Sequence, residues 1–327
     1  MLDEFVDDPR VQRLQRILGG MRHDHPSATT ENVRAVGFDR IDPVHSEGDH
    51  VTYATIADGS RHIRLDDVDP AARGGLTRER AEAELDSVSR ELRELQNLMF
   101  AAEVNGLLVV LQGMDAAGKD VTIQNVFVLA NPEGVRVKHF LPMSKDEEKH
   151  HFIWRADVEA PARGEVVIFD RSYYEQLVLP QVDREISPDE LDRRVQDVLA
   201  FERLLEHGGI IVAKFFLHVS SDEQERRLRD RMEHEPWLAS ARDWIARRSW
   251  DDYMAAYEQS INATATPEAP WYVVSADHEW FYNVSIAEAL VERLRSHRDS
   301  WIEGRDRRGA EKRAEAEEEA PPTGSDT

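Results

Sequence analysis

The chain has 327 residues, 41% of them hydrophobic, no cysteine, and a formal net charge of −23. Without cysteine there are no disulfides and no thiolate metal sites, and so acidic a surface disfavours nonspecific binding to nucleic acid. No apolar run reaches the roughly 18 residues of a membrane span, and Met1–Arg10 lacks a signal-peptide pattern, so the expectation is a cytoplasmic chain with no nucleic-acid or membrane partner.

Residues 1–75 show little periodicity and read as a partly irregular N-terminal extension. Within it, "VTYATIADGSRHIRL" predicts a short hairpin around Asp58-Gly59. From Thr77 to Glu103, Ala81, Leu85, Val88, Leu92, Leu95 and Phe100 recur at helical spacing among charges, with Thr77 placed to cap the helix. Apolar runs at 107–112, 135–140, 165–170, 210–219 and 271–276 then read as strands. Helical patterns fill 118–130, 146–158, 189–207, 221–233, 243–262 and 280–297. Strands that are continuously apolar are buried on both faces. Their alternation with helices predicts an α/β fold, a parallel sheet with helices on both sides, over a domain at 76–298. Residues 299–327 are charged, then rich in Pro, Gly and Ser, and are expected to form a disordered tail.

"LLVVLQGMDAAGKDV" runs from strand into helix through Gly113-x4-Gly118-Lys119. The glycines permit backbone conformations a Cβ obstructs. Loop N–H groups and the helix N-terminus then form an anion cradle, with Lys119 reaching phosphate oxygens. Asp120 stands where such loops usually carry a Ser or Thr that binds Mg²⁺. Asp170 ends the strand of "VVIFDRSYYE", where open α/β sheets present ligand residues. Arg171 follows it, and a planar guanidinium suits phosphate oxygens. Asp115, inside the loop, would repel phosphate unless a cation intervened, so Asp115 and Asp170 are expected to share Mg²⁺, with Mn²⁺ as the alternative ion. Arg226, Arg227, Arg229 and Arg231, with Arg242, Arg247 and Arg248, form a local basic excess that reads as a lid over transferring phosphate. A basic channel inside an acidic exterior is the resulting expectation. The neighbours His150 and His151 do not share a helix face and make a poor metal pair.

The ordered segments "LLVVLQGMDAAGKD", "NPEGVRV", "HHFIWR", "ARGEVVIFDRSYYE", "FERLLEHGGIIVAKFFLHVSSDEQERRL", "WDDYMAAYE" and "APWYVVSAD" resemble the family-2 polyphosphate kinases over about residues 65–296. "QGMDAAGKD", "FIWR" and "SYYE" are similar to the subgroup acting on nucleoside mono- and diphosphates. The resemblance implies a three-layer α/β/α P-loop kinase core with a helical lid at about 221–250. It implies inorganic polyphosphate and nucleotides as partners, and assembly as a homodimer or homotetramer. It makes Asp115, Lys119, Asp170 and Arg171 catalytic, with Asp115 and Asp170 at the metal. Gly113, Met114, Ala116, Ala117, Gly118, Asp120, Arg227 and Arg231 then bind phosphate or nucleotide. Several positions depart from the family pattern. Val121 replaces a glycine, Leu141 and Leu238 replace lysines, Met143 replaces a proline, and His150-His151 replaces a His-Asp pair. These departures keep two alternatives open: a nucleotide kinase with another donor such as ATP, and a phosphate-binding relative without turnover.

Overall fold

The computed structural model describes residues 53–320. Residues 1–52, most of the expected extension, lie outside the described residues. Six strands form one sheet: β1 (Thr55–Ala57), β2 (Gly106–Gln112), β3 (Val135–His139), β4 (Val166–Asp170), β5 (Ile210–His218) and β6 (Trp271–Ser275), in the order β1-β6-β5-β2-β4-β3. All pairings are parallel except β1 with β6. Every residue of β2 and β5 is buried, as their unbroken apolar runs require. The predicted hairpin does not form. β1 pairs instead with β6 at the far end of the chain, and Asn262 holds Ile63 through its backbone N–H (2.7 Å) and carbonyl (2.8 Å). The described fold therefore begins before the boundary expected at 75.

Ten helices occur among the described residues: α1 (Arg78–Ala102), α2 (Lys119–Val126), α3 (Trp154–Asp157), α4 (Glu175–Val182), α5 (Pro188–His207), α6 (Ser221–His234), α7 (Ala241–Arg247), α8 (Trp250–Thr264), α9 (Glu279–Arg295) and α10 (Arg298–Glu319). Helices α1, α2, α9 and α10 pack together as one group and α4, α5 and α8 as another, flanking the sheet. Thr77 caps α1 by accepting from the Arg80 N–H, and the apolar stripe foreseen for this helix is its buried face. Ser187 and Ser220 cap α5 and α6 the same way.

Three expectations of secondary structure are corrected. The segment 146–158 is a single turn at Glu147–Lys149 followed by the short α3. Buried Arg155 ties it down by donating to the Leu141 carbonyl at 2.8 Å and lying over the Phe140 ring. The helix expected at 243–262 is broken at Arg248-Ser249 into α7 and α8. The tail is helical to Glu319, because Trp301 is fully buried and its indole N–H donates to Asn105 at 2.9 Å.

Candidate phosphate and metal site

The strand order reverses at β2, which lies between β4 and β5. Open α/β sheets leave a crevice at the carboxyl ends of strands flanking such a point. The loop from Gly113 to Gly118 leaves β2 there. Gly113 (φ 146°) and Gly118 (φ 114°) both have positive φ, and a Cβ on Gly118 would lie 2.6 Å from the Tyr282 ring. Met114 and Ala117 are buried and anchor the loop, while Ala116 is held left-handed at φ 61°.

Helix α6 grips the outer side of this loop. Gln224 donates to the Asp115 carbonyl at 3.1 Å. Arg227 donates to the carbonyls of Ala116 (3.1 Å) and Ala117 (2.9 Å), and also to those of Ala276 and Asp277 beyond β6. With its carbonyls engaged this way, the loop is fixed against the C-terminal ends of the strands. Lys119 is buried, and its ammonium donates to the carbonyls of Gly113 and Met114, both at 3.0 Å.

Arg171 also has positive φ (58°), and its N–H donates to the Leu111 carbonyl at 3.0 Å. Its guanidinium pairs with Asp115 and lies 3.4 Å from Glu175. Burial opposes the charge on Arg171, but Glu175 and Asp115 more than offset it and raise its pKa. Burial raises the Glu175 carboxyl despite the arginine beside it.

The carboxylates do not group as the sequence implied. Asp115 was expected to share a metal with Asp170, yet its side chain is engaged by Arg171. The cluster of metal-capable donors among the described residues is Asp120, His139 and Asp170, whose donor atoms lie within 4.8 Å of one another. β3 and β4 are in register with His139 opposite Asp170, so both side chains meet at the strand ends, 2.8 Å apart. Asp120 joins them from the first turn of α2. Burial, and then the charge of Asp170, raise the Asp120 carboxyl. The Asp170 Oδ1 atom is buried without a hydrogen-bond partner. Two hard oxygen donors, one of them orphaned, fit a divalent cation.

Asp120 and Asp170, though not His139, line a cavity of about 510 Å³ together with Asp115, Ala116, Gly118, Lys119, Val121, Arg171, Arg227 and Arg231. Gly113, Met114 and Ala117 shape the loop from beneath. The cavity is not a basic channel. Its cations are Lys119, Arg171, Arg226, Arg227 and Arg231, against Asp115, Asp120, Asp170, Glu223, Asp230, Glu235, Asp277 and Glu279. The lid arginines are largely paired within the lid: Arg226 with Glu223, Arg231 with Asp243, and Arg229 and Arg247 with Glu225. Trp280, stacked with His278 at 5.4 Å, adds an aromatic wall. Sequence reasoning missed His139 and Glu175. Glu175 had a signal, one helical turn beyond Arg171 in the chain, whereas His139 reaches the site only through strand register.

The family model described as polyphosphate kinase 2 matches residues 75–300. An AMP/ADP-polyphosphate phosphotransferase of Meiothermus ruber is 40% identical over 233 residues, covering 71% of this chain and 87% of the relative. An ADP-polyphosphate phosphotransferase of Rhodopseudomonas palustris is 35% identical over 227 residues, 65% of this chain and 78% of that one. Among solved structures, polyphosphate kinase 2 from Arthrobacter aurescens TC1 superposes with a TM-score of 0.69 at 32% identity, covering 75% of this chain and 92% of that one.

Proposed function

The chain belongs to the polyphosphate kinase 2 family, and from that premise we propose an enzyme that moves phosphate between inorganic polyphosphate and nucleoside mono- or diphosphates by in-line transfer. The observation that carries this reading is the placement of one loop. Gly113–Lys119 lies at the reversal of strand order, with Asp170 and Arg171 beside it in one cavity. A phosphate oxygen is already an anionic nucleophile, so such a transfer needs positioning and charge neutralisation rather than a strong base.

Each residue has a role in that scheme. The loop N–H groups and the start of α2 bind phosphate oxygens. Lys119 and Arg171 neutralise them, and Asp115 with Glu175 hold the Arg171 fork in place. Arg227 fixes the loop against α6, and Arg231 faces the cavity. Asp170 and Asp120 would hold Mg²⁺, which supplies charge neutralisation between phosphate groups when bound. The lost lysines do not favour another donor, because Leu141 and Leu238 are exposed and lie outside the cavity lining. Val121 does line it. The proposal extends to a cytoplasmic enzyme that assembles as a homodimer or homotetramer. No helix among the described residues is long and apolar enough to cross a membrane.

The test is purified protein with Mg²⁺ and long-chain polyphosphate, offered AMP, ADP, GMP and GDP in turn, without ATP and with products resolved. Formation of the next higher phosphate is the expected outcome. Transfer no greater than in a Lys119→Ala variant would sink the reading, and turnover that requires ATP would favour the alternative kinase.

A further inference from the structure

We propose that a cavity at the amino end of β5, remote from the phosphate loop, is a second ligand site that takes a guanine base through Glu206 and Arg293. The cavity has a volume of about 720 Å³, and Leu199, Glu202, Glu206, Ile210, Ile211 and Arg293 are among its lining residues. It lies where α5 and α9, one from each helix group, flank the first residues of β5. β5 runs parallel to β2, with Gly106 opposite Ile210 and Gln112 opposite Phe216. The phosphate loop leaves the other end of β2, so the length of these strands, roughly 20 Å, separates the two cavities. No residue lines both.

Two polar atoms here are buried and unsatisfied. Glu206 Oε1 lacks a hydrogen-bond partner, and so does Arg293 Nε. Such atoms cost free energy unless something bonds to them. The side chains carry opposite charge, yet no ion pair joins them among the described residues. Arg293 donates instead through Nη2 to the Glu268 carbonyl. Burial, then the charges of Glu202 and Glu268, push the Glu206 carboxyl up, and Arg293 opposes that rise. N–H donors from a ligand would relieve this penalty. Glu202 is already satisfied, because Tyr173, Tyr174 and Lys214 all donate to it. It forms a fixed floor and leaves Glu206, one turn further along α5, as the acceptor open to a ligand.

An occupant has to present donors to Glu206 and an acceptor to Arg293 from one compact frame. It also has to cover Leu199, Ile210 and Ile211, which favours a flat ring over a small zwitterion. A cavity of this size suits a ligand as large as a nucleoside. The guanine edge meets both needs. Its N1–H and N2 amino group donate side by side to a carboxylate, and its O6 accepts from a guanidinium. Adenine offers a single amino group on that edge and leaves the carboxylate half satisfied.

The experiment uses the full chain and guanosine, which has no phosphate for the Gly113–Lys119 loop to hold. Binding is followed by saturation-transfer nuclear magnetic resonance, with inosine and adenosine for comparison. Guanosine is expected to bind with a Kd of about 50 µM, ordinary for a ligand of its size. Inosine lacks the N2 amino group and should bind about tenfold more weakly, the loss of one hydrogen bond to a charged partner. Glu206→Gln and Arg293→Met should each weaken guanosine binding at least about tenfold. Neither should alter phosphate transfer measured without guanosine, since both residues lie outside the phosphate cavity. Melting by circular dichroism shows that each variant is folded, and the wild-type comparison of nucleosides decides the matter without them. No saturation transfer at roughly 1 mM guanosine overturns the proposal, because water alone then satisfies the two groups. Equal affinity for all three nucleosides overturns it, as does binding that is unchanged in both folded variants.

Discussion

At the scale of the residue, one substitution in the sequence posed the central question: what takes the place of a Ser or Thr at Asp120. Reading the chain alone, Asp115 was the natural answer, because a carboxylate inside an anion cradle needs a cation beside it. In the structure the Arg171 guanidinium is the cation paired with it. Residue types were legible here and their partners were not, since local sequence cannot say which of two nearby cations an acid will meet. His139 was less legible still, being 31 residues from Asp170 and joined to it by register alone. The corrected pairing makes a prediction. Arg171→Lys should lower kcat/KM at least about tenfold, or ~1.4 kcal/mol in the barrier, because a point charge cannot span both Asp115 and Glu175. Asp115→Asn should cause a similar loss without raising the Mg²⁺ concentration needed for half-maximal rate, whereas Asp170→Asn should raise it. Mg²⁺ titrations of the two variants decide the matter. Equal shifts in both would return Asp115 to the metal, as its sequence position first implied.

At the scale of the element, strands were read well and connections poorly. The runs at β2, β4, β5 and β6 are apolar on both faces, a local property, so their boundaries were visible within a residue or so. The antiparallel pairing of β1 with β6 joins segments more than two hundred residues apart and leaves no local trace. The tail failed for another reason. Its composition is that of a disordered segment, yet Trp301, Gly304 and Arg308 recur at helical spacing and face α1. A Cβ on Gly304 would lie 2.6 Å from the Val104 side chain, so helix and core approach closely there. Trp301→Ala should therefore destabilise the protein by about 3–5 kcal/mol in urea unfolding. Truncation after Arg308 should shift stability by no more than about 0.5 kcal/mol, since the residues beyond Gly309 that are described are exposed. A large loss on that truncation would show that the distal turns of α10 dock. Strand β5 also carries a charge in its middle. Lys214 is fully buried and donates to Glu202 at 2.7 Å and to the Thr264 carbonyl at 2.8 Å. Burial lowers its pKa, although Glu202 opposes that. Tyr173 and Tyr174 donate to the other oxygen of Glu202 and complete the network. Lys214→Met alone should cost about 3–5 kcal/mol by stranding Glu202, and Lys214→Met with Glu202→Leu should recover most of it. A double variant no more stable than the single one would mean the pair is needed for packing rather than for charge balance.

At the scale of the whole molecule, a chain of net charge −23 is proposed to capture a polyanion. The sequence offered a basic channel as the resolution, but carboxylates outnumber cations in the cavity and the lid arginines are mostly paired. Local protein charge therefore does not reverse the global sign; in the proposed reaction a bound divalent ion would have to do so. Capture at low ionic strength should be slow, because repulsion extends about 30 Å at 0.01 M salt and only about 10 Å at 0.1 M. At fixed free Mg²⁺, kcat/KM for long polyphosphate should rise with added NaCl as bulk repulsion is screened. It should fall at higher salt, when contacts to Lys119 and Arg171 weaken in turn. At matched ionic strength, exchanging NaCl for MgCl₂ should raise kcat/KM further if, as proposed, the divalent ion binds at the cavity carboxylates as well as screening the surface. The measurement is a series of initial rates across both salts. A monotonic fall from the lowest NaCl upward would show that Lys119 and the arginines dominate the field after all. Equal responses to the two salts would show that the cluster takes no part in drawing in the substrate.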